Sequence, residues 1–384
     1  MIDSPPEFGC YETPAASREM KTSKIMKINS RGLLINLFLI ISSTLFAFFL
    51  SEVALRFMGH KPLYVSPERD RFWKYDSLLG WAHEPGQEGI FESPQFRTVV
   101  RINQNGLRDR QHSYERQNDT ERILVLGDSF AWGYGVEESE RFSQLLEKSM
   151  DAEVINAGVS GYSTDQELLW YESEGIKYET DLVVLVLTGN DVGDNERQLV
   201  NTIYYKPKFV INEGRLVLTG NPVPQTSIQG KFVYSLSQRS ALAYFLVQRY
   251  FDLRSLYSRQ KVNSDHTNLT VSGTNAERNP FEVTIALIDE MRNIAKSSGA
   301  KFVVVATDRW WNYPSEENYS DFVTAMKNEG FLVLDVESMP GFDPTEMLIP
   351  DDGHWNQSGN VFVAQQLKDF IERNQLIGHP SQDN

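Results

Sequence analysis

The chain is expected to be an α/β protein with a three-layer, doubly wound parallel sheet, preceded by a transmembrane helix. Short runs rich in Val, Ile and Leu recur at residues 123–126, 153–156, 182–187, 302–306 and 332–335. Helical patterns lie between and after them, at 142–150, 164–174, 281–297, 318–328 and 359–374. Alternation of this kind puts parallel strands in one sheet with helices on both faces. The third observation is residues 33–50, 18 in a row without a charge, close to the ~20 needed to cross a bilayer.

Taken in chain order, residues 1–32 read as a cytoplasmic tail and 33–55 as the membrane anchor. Arg18, Lys21, Lys24, Lys27 and Arg31 precede the apolar run. The positive-inside rule keeps them in the cytoplasm and sends the rest of the chain to the periplasmic or extracellular side of a singly crossed inner membrane. A cleaved signal peptide has a similar charged start and apolar middle. Here the apolar run is longer than a typical signal core, and no clear small-x-small cleavage site follows it. Residues 1–19 are acidic and unpatterned and fit neither reading; Met20 or Met26 would make a more usual start.

Residues 56–120 read as a β-rich lead-in, with turn signals at Glu84-Pro85-Gly86 and around Asn105-Gly106, and strand-like alternation at 96–102. It either extends the packing of the main sheet or contributes to substrate binding. Residues 121–384 form the main domain, interrupted by an insertion at about 197–280. Within the insertion, 208–218 read as a hairpin turning near Glu213 and Gly214, 230–260 have helical spacing, and 263–280 are a polar loop. An insertion after the third strand is either a lid at the rim of the site or an outer helical layer.

Composition narrows the function. With 41% hydrophobic residues the chain is ordinarily globular. A formal net charge of -15 disfavours a nucleic-acid partner, which needs a clustered basic surface. The single cysteine, Cys10, excludes an internal disulfide and a cysteine-based metal site. The six histidines include no His-x-x-x-His pair, so no metal is expected.

The chemistry sits at the ends of the apolar runs, where the site of such a sheet forms. The first run delivers Gly127-Asp128-Ser129 to a helical pattern. Asp351-Asp352-Gly353-His354 precedes the last helical pattern and supplies carboxylates and an imidazole. Together these are the parts of a Ser-His-Asp nucleophilic site, in which the imidazole takes the hydroxyl proton. Asn156-Ala157-Gly158 and Gly189-Asn190-Asp191 follow two further runs. They suit an oxyanion hole, one through a backbone N–H and one through a side-chain amide. Singly, Ser129 reads as a helix cap, His354 as a surface histidine and Asn190 as part of a turn. Their joint order favours catalysis. No Gly-x-Ser-x-Gly elbow occurs, which argues against a classical α/β-hydrolase.

In these four blocks the chain resembles the SGNH (GDSL-like) hydrolase superfamily. The resemblance spans roughly residues 121–374 and implies an SGNH/flavodoxin-like fold and a serine esterase without a cofactor. It implies Ser129 as nucleophile, His354 as base, Asp351 as its orienting carboxylate, and Ser129, Gly158 and Asn190 as the oxyanion hole. Asp352 is the near competitor of Asp351, but only Asp351 has the three-residue separation of the resembled motif. One departure is visible: the third block usually carries glycine two residues before the asparagine, where this chain has Thr188.

Trp132 and Tyr134 follow the nucleophile, Trp310, Trp311 and Tyr313 follow the fourth run, and Trp355 adjoins the histidine. Flat aromatic faces of this kind suit sugar rings, although burial in a core explains each one singly. A membrane-anchored SGNH-like enzyme outside the cytoplasm is expected to remove acyl groups, acetyl first among them, from a carbohydrate or cell-surface polysaccharide. Alternatives are an O-acetyltransferase of exopolysaccharide and a non-catalytic carbohydrate-binding module. The fold does not choose among them.

Overall fold

The structure, a computed structural model, describes residues 30–116, 119–200, 204–251, 253, 281–309 and 318–378. The chain divides into two units, Met1–Ala54 and Leu55–Asn384. Helix α1 (Ser30–Phe57) begins in the first and is long and apolar enough to cross a membrane, a test that a signal sequence also meets.

In the second unit, two antiparallel hairpins come first: β1 (Trp73–Asp76) with β2 (Gly80–His83), and β3 (Glu88–Glu92) with β4 (Arg97–Arg101). The central elements then alternate. They are β5 (Glu121–Gly127), α2 (Ser129–Trp132), α3 (Phe142–Ser149), β6 (Ala152–Asn156), α4 (Thr164–Ser173), β7 (Leu182–Leu187) and α5 (Gly189–Asn195). Next come the hairpin β8 (Lys208–Asn212) and β9 (Arg215–Thr219), helix α6 (Ile228–Ser237) and a helical run at 241–251. The chain continues through α7 (Glu282–Ser297), β10 (Lys301–Ala306), α8 (Tyr319–Asn328), β11 (Val333–Asp335) and α9 (Gln357–Arg373).

Five strands form one sheet in the order β11-β10-β7-β5-β6, every neighbouring pair parallel. The two-residue period of a strand decides which side chains go to which face. Leu124, Leu126, Val183, Leu185, Val304 and Ala306 pack on one side with residues of α4, α7 and α8. Ile123, Val125, Val184, Val186, Val303 and Val305 pack on the other with residues of α3 and α9. Both faces are therefore apolar and covered, which is why the strands read as unbroken hydrophobic runs. The protein is a three-layer α/β structure with a doubly wound parallel sheet. The five apolar runs coincide with its five strands, and the hairpin at 208–218 turns at Glu213 and Gly214. The expected helical stretch at 230–260 is two pieces, α6 and the run at 241–251; residues 254–280, with the polar loop, lie outside the described residues.

Candidate active site

Strand β5 runs straight into Ser129, the candidate nucleophile. Asp128 caps α2, its carboxylate accepting the Phe130 N–H at 2.9 Å, as a short polar side chain does at a helix start. Ser129, the first helical residue, is 7% exposed, and its Oγ lies 2.8 Å from His354 Nε2. A longer contact, 3.4 Å, joins the same Oγ to Asp128 Oδ2. Ser129 and His354 are 225 positions apart, and the fold brings them together at the carboxyl edge of the sheet.

The far nitrogen of His354 is held by Asp352, whose Oδ1 hydrogen-bonds Nδ1 and also accepts the His354 backbone N–H at 3.2 Å. This corrects the sequence expectation. Asp351 is exposed and takes a left-handed backbone, φ 60°, while Gly353 follows at φ 97°. The turn so formed presents the second carboxylate, not the first, to the imidazole. Burial lowers the His354 pKa from its ordinary value, and the hydrogen bond and charge of Asp352 oppose that shift.

Aromatic rings confine the imidazole. Tyr134 stacks on it with ring centres 4.1 Å apart and planes 21° apart, and Phe130 lies at 4.9 Å. Tyr134 is itself packed edge-on by Phe96, at 4.9 Å, and by Phe91 of β3. Burial and the nearby Asp352 raise the Tyr134 pKa, so its hydroxyl stays neutral.

The oxyanion candidates divide. Gly158 sits where a β-carbon would overlap the backbone of Ala131 and Trp132, so its lack of a side chain lets the loop after β6 pass against α2. Its N–H, however, donates to Asn156 Oδ1 at 2.9 Å, and the residue is buried. The half-exposed part of that loop is Ser160 and Gly161. Asn190 is half-buried at the start of α5; its Oδ1 accepts from Thr188 Oγ1 at 2.8 Å and its Nδ2 donates to Asp194 at 3.2 Å. The Thr188 hydroxyl also lies 3.0 Å from Asp128 Oδ2, so the residue that departs from the resembled block links the cap of α2 to the asparagine. Asp128 is fully buried, and that burial lifts its pKa to about 7.

Trp132 and Trp355 are corrected. Trp132 is fully buried among Phe72, Phe91, Val100 and Ile102, with the Arg108 guanidinium 4.4 Å from its ring. Trp355 is 2% exposed and packs on Phe130 and Phe142. Neither offers a face to a sugar. Trp310, Trp311 and Tyr313 lie outside the described residues.

Several supporting residues were not visible as such in the sequence. Buried Arg108 donates to the carbonyls of Trp132, Gly133 and Val136, fixing the chain that leaves Ser129. Buried Asp109 accepts the Asn156 N–H, and Asn156 Nδ2 donates to Ala131 O at 2.7 Å. An arginine and an aspartate in a polar stretch carry no motif that could have singled them out.

A sequence profile of the GDSL-like lipase/acylhydrolase family matches residues 125–361, well over half of the chain. The chain belongs to this family. The acylhydrolase is thus an ester-hydrolysing enzyme, in agreement with the SGNH resemblance of its motifs. Among solved structures, it is similar to TesA at 15% identity, covering 66% of this chain and 99% of that one with a TM-score of 0.35. A lipase/acylhydrolase from Enterococcus faecalis matches at 15%, covering 68% and 100%, with a TM-score of 0.35. A two-domain esterase active on acetylated mannans, co-crystallised with mannopentaose, matches at 15%, covering 68% and 51%, with a TM-score of 0.34. No curated protein matches the acylhydrolase.

Proposed function

We propose that the protein is a serine esterase that removes short acyl groups, acetyl above all, from an acylated carbohydrate outside the cytoplasm. The observation that carries the catalytic part is the 2.8 Å contact between Ser129 Oγ and His354 Nε2, with Asp352 on the opposite ring nitrogen. As Ser129 Oγ attacks the ester carbonyl, its proton passes to Nε2, and Asp352 stabilises the imidazolium that results. Collapse of the tetrahedral intermediate expels the alcohol, which takes that proton, and leaves the acyl group on Ser129. Water then attacks the acyl-enzyme with His354 again as base, restoring the serine and releasing the acid.

The oxyanion is met by the Ser129 N–H, the Asn190 amide and a backbone N–H of the loop after β6. Because the Gly158 N–H is committed to Asn156, Ser160 and Gly161 are the better source of the third donor. The substrate part rests on the aromatic sequence Trp310, Trp311 and Tyr313, which leaves β10 shortly after its carboxyl end. In the same reading residues 33–55 anchor the chain in the inner membrane, 56–120 are the lead-in, and 121–384, with an insertion at about 197–280, form the catalytic domain on the periplasmic or extracellular side.

Incubation of the full chain with a chromogenic acetyl ester, with and without an oligosaccharide acceptor, separates hydrolysis from O-acetyl transfer. An active-site phosphonate should label the native chain and leave Ser129→Ala unlabelled while that variant stays folded. Labelling that survives in Ser129→Ala sinks the assignment.

A further inference from the structure

Helix α6 and the run at 241–251 carry an apolar surface that the catalytic reading leaves unused. On α6, Ile228, Phe232 and Leu236 recur every four residues and are exposed, Ile228 by 86%. On the next helical stretch, Leu246, Tyr250 and Leu253 do the same at spacings of four and three, each more than half exposed. Spacings of three and four put such residues on one side of a helix. Two neighbouring segments thus turn an apolar stripe outward, more than the isolated exposed residues a soluble surface normally shows.

Charge and chain continuity say what covers this surface. Residues 228–253, the span of the stripe, contain Lys231, Arg239 and Arg249 against a single acidic residue, Asp252, in a chain of net charge -15. The same segments are tied to the residues that end α1 and follow it. Arg56 Nη2 donates to Arg239 O at 3.2 Å, His60 packs against the Phe245 ring at 5.2 Å, and Leu63 N donates to Ser237 O at 2.9 Å. His60 is three residues past the end of α1, within about 10 Å of it along even an extended chain. At 28 residues, α1 is roughly 42 Å long, more than a hydrocarbon core of about 30 Å, so its end reaches the headgroups. Phe57 and Met58, at that end, are themselves exposed.

We propose that α6 and the helical run after it form a membrane-contact surface that rests its apolar stripe in the headgroup region of an anionic bilayer, beside the point where α1 emerges. The proposal rests on the reading of α1 as an uncleaved anchor. Lys231, Arg239 and Arg249 meet the lipid charge while Phe232, Leu246 and Leu253 enter the acyl boundary, the division of labour of an interfacial amphipathic helix. The catalytic unit is then held against the bilayer by two contacts rather than swinging on one tether.

The test uses the full chain with its cysteine replaced (Cys10→Ser) and one new cysteine carrying an environment-sensitive fluorophore, at Leu246→Cys, at Leu253→Cys or, as a remote control on α8, at Lys327→Cys. Each protein is reconstituted into phosphatidylcholine vesicles with and without phosphatidylglycerol, and retained phosphonate labelling verifies the fold. Co-flotation with the vesicles tests the anchor separately from the patch. The expected result is several-fold stronger quenching by a nitroxide carried on the lipid at positions 246 and 253 than at 327, reduced when phosphatidylglycerol is left out. Vesicle-bound protein whose 246 and 253 probes are quenched no more than 327 overturns the proposal and leaves the anchor standing. Probes shielded from aqueous iodide yet untouched by the lipid nitroxide overturn it in favour of a protein partner. Quenching undiminished without phosphatidylglycerol overturns the anionic preference, and failure to co-float removes the anchor and the proposal together.

Discussion

Asp351 and Asp352 are adjacent carboxylates before one histidine, and a spacing rule cannot choose between them because the turn, not the count, aims the side chain. With Asp352 on Nδ1, Asp352→Asn should lose about 10³–10⁴ in kcat, the scale of removing the orienting carboxylate from such a triad. Asp351→Asn, at an exposed position, should stay close to the native rate. A large loss in Asp351→Asn with Asp352→Asn near the native rate would return the role to Asp351. The same contact sets the pH dependence. Protonated imidazole cannot accept the serine proton, so kcat/KM should rise with pH. Burial lowers the His354 pKa, so the midpoint of that rise should fall below the ordinary ~6.5. Asp352 works against that lowering, so any residual activity of Asp352→Asn should titrate lower still. A midpoint above that of a free histidine would contradict the burial argument.

At the scale of elements, the hairpin β3–β4 acts on the site through packing. Phe91, and Phe96 in its turn, hold Tyr134, and Tyr134 stacks on His354. An aromatic face favours the imidazolium over the neutral ring, and that charged form builds up during acyl transfer. Tyr134→Leu should therefore lose about 2–10-fold in kcat, the equivalent of ~0.5–1.5 kcal/mol. KM should change little, and the acid limb of the pH profile should move downward. Tyr134→Phe should restore both, since the ring and not the hydroxyl carries the effect. A Phe variant as impaired as Leu would point instead to the hydroxyl. The strands themselves were legible in the sequence because a sheet covered on both faces has no polar face to interrupt its apolar runs. Gly158 was legible as a special position, but its reason is close packing against α2 rather than an open N–H. Trp132 and Trp355 were misread for the same cause: an aromatic next to a site looks alike in sequence whether it faces the ligand or the core.

At the scale of the whole molecule, the ground behind Ser129 is unusually acidic. Asp128, Glu167 and Asp191 are all buried, and burial followed by their mutual repulsion raises the pKa of Glu167 and of Asp191 well above the ordinary range. Both Glu167 carboxylate oxygens lack a hydrogen-bond partner among the described residues. A group whose folded pKa is raised contributes stability below its unfolded value, ~4.3 for glutamate, and loses it as pH rises through the folded value. Glu167→Gln, which does not titrate, should therefore melt higher than the native chain at pH 8, with the gap closing toward pH 5. Buried His83 titrates the opposite way, its pKa lowered to about 4, but it is common to both proteins and cancels in the difference. A gap independent of pH would show that folding does not raise the Glu167 pKa.

What the sequence determined by itself is whatever repeats or clusters along the chain. The period of the strands, the alternation with helices, the apolar length of α1 and the order of the four motif blocks are all local or sequential, and each follows from the residues in one stretch. What only the tertiary structure decided is direction. Which of two adjacent aspartates meets His354, which way the Gly158 N–H points, whether Trp132 faces a sugar or the core, and that Arg108 and Asp109 brace the segments around Ser129 depend on how distant segments pack. A one-residue difference in a turn, or the handedness of a single backbone angle as at Asp351, reverses where a side chain goes without leaving any periodicity to read.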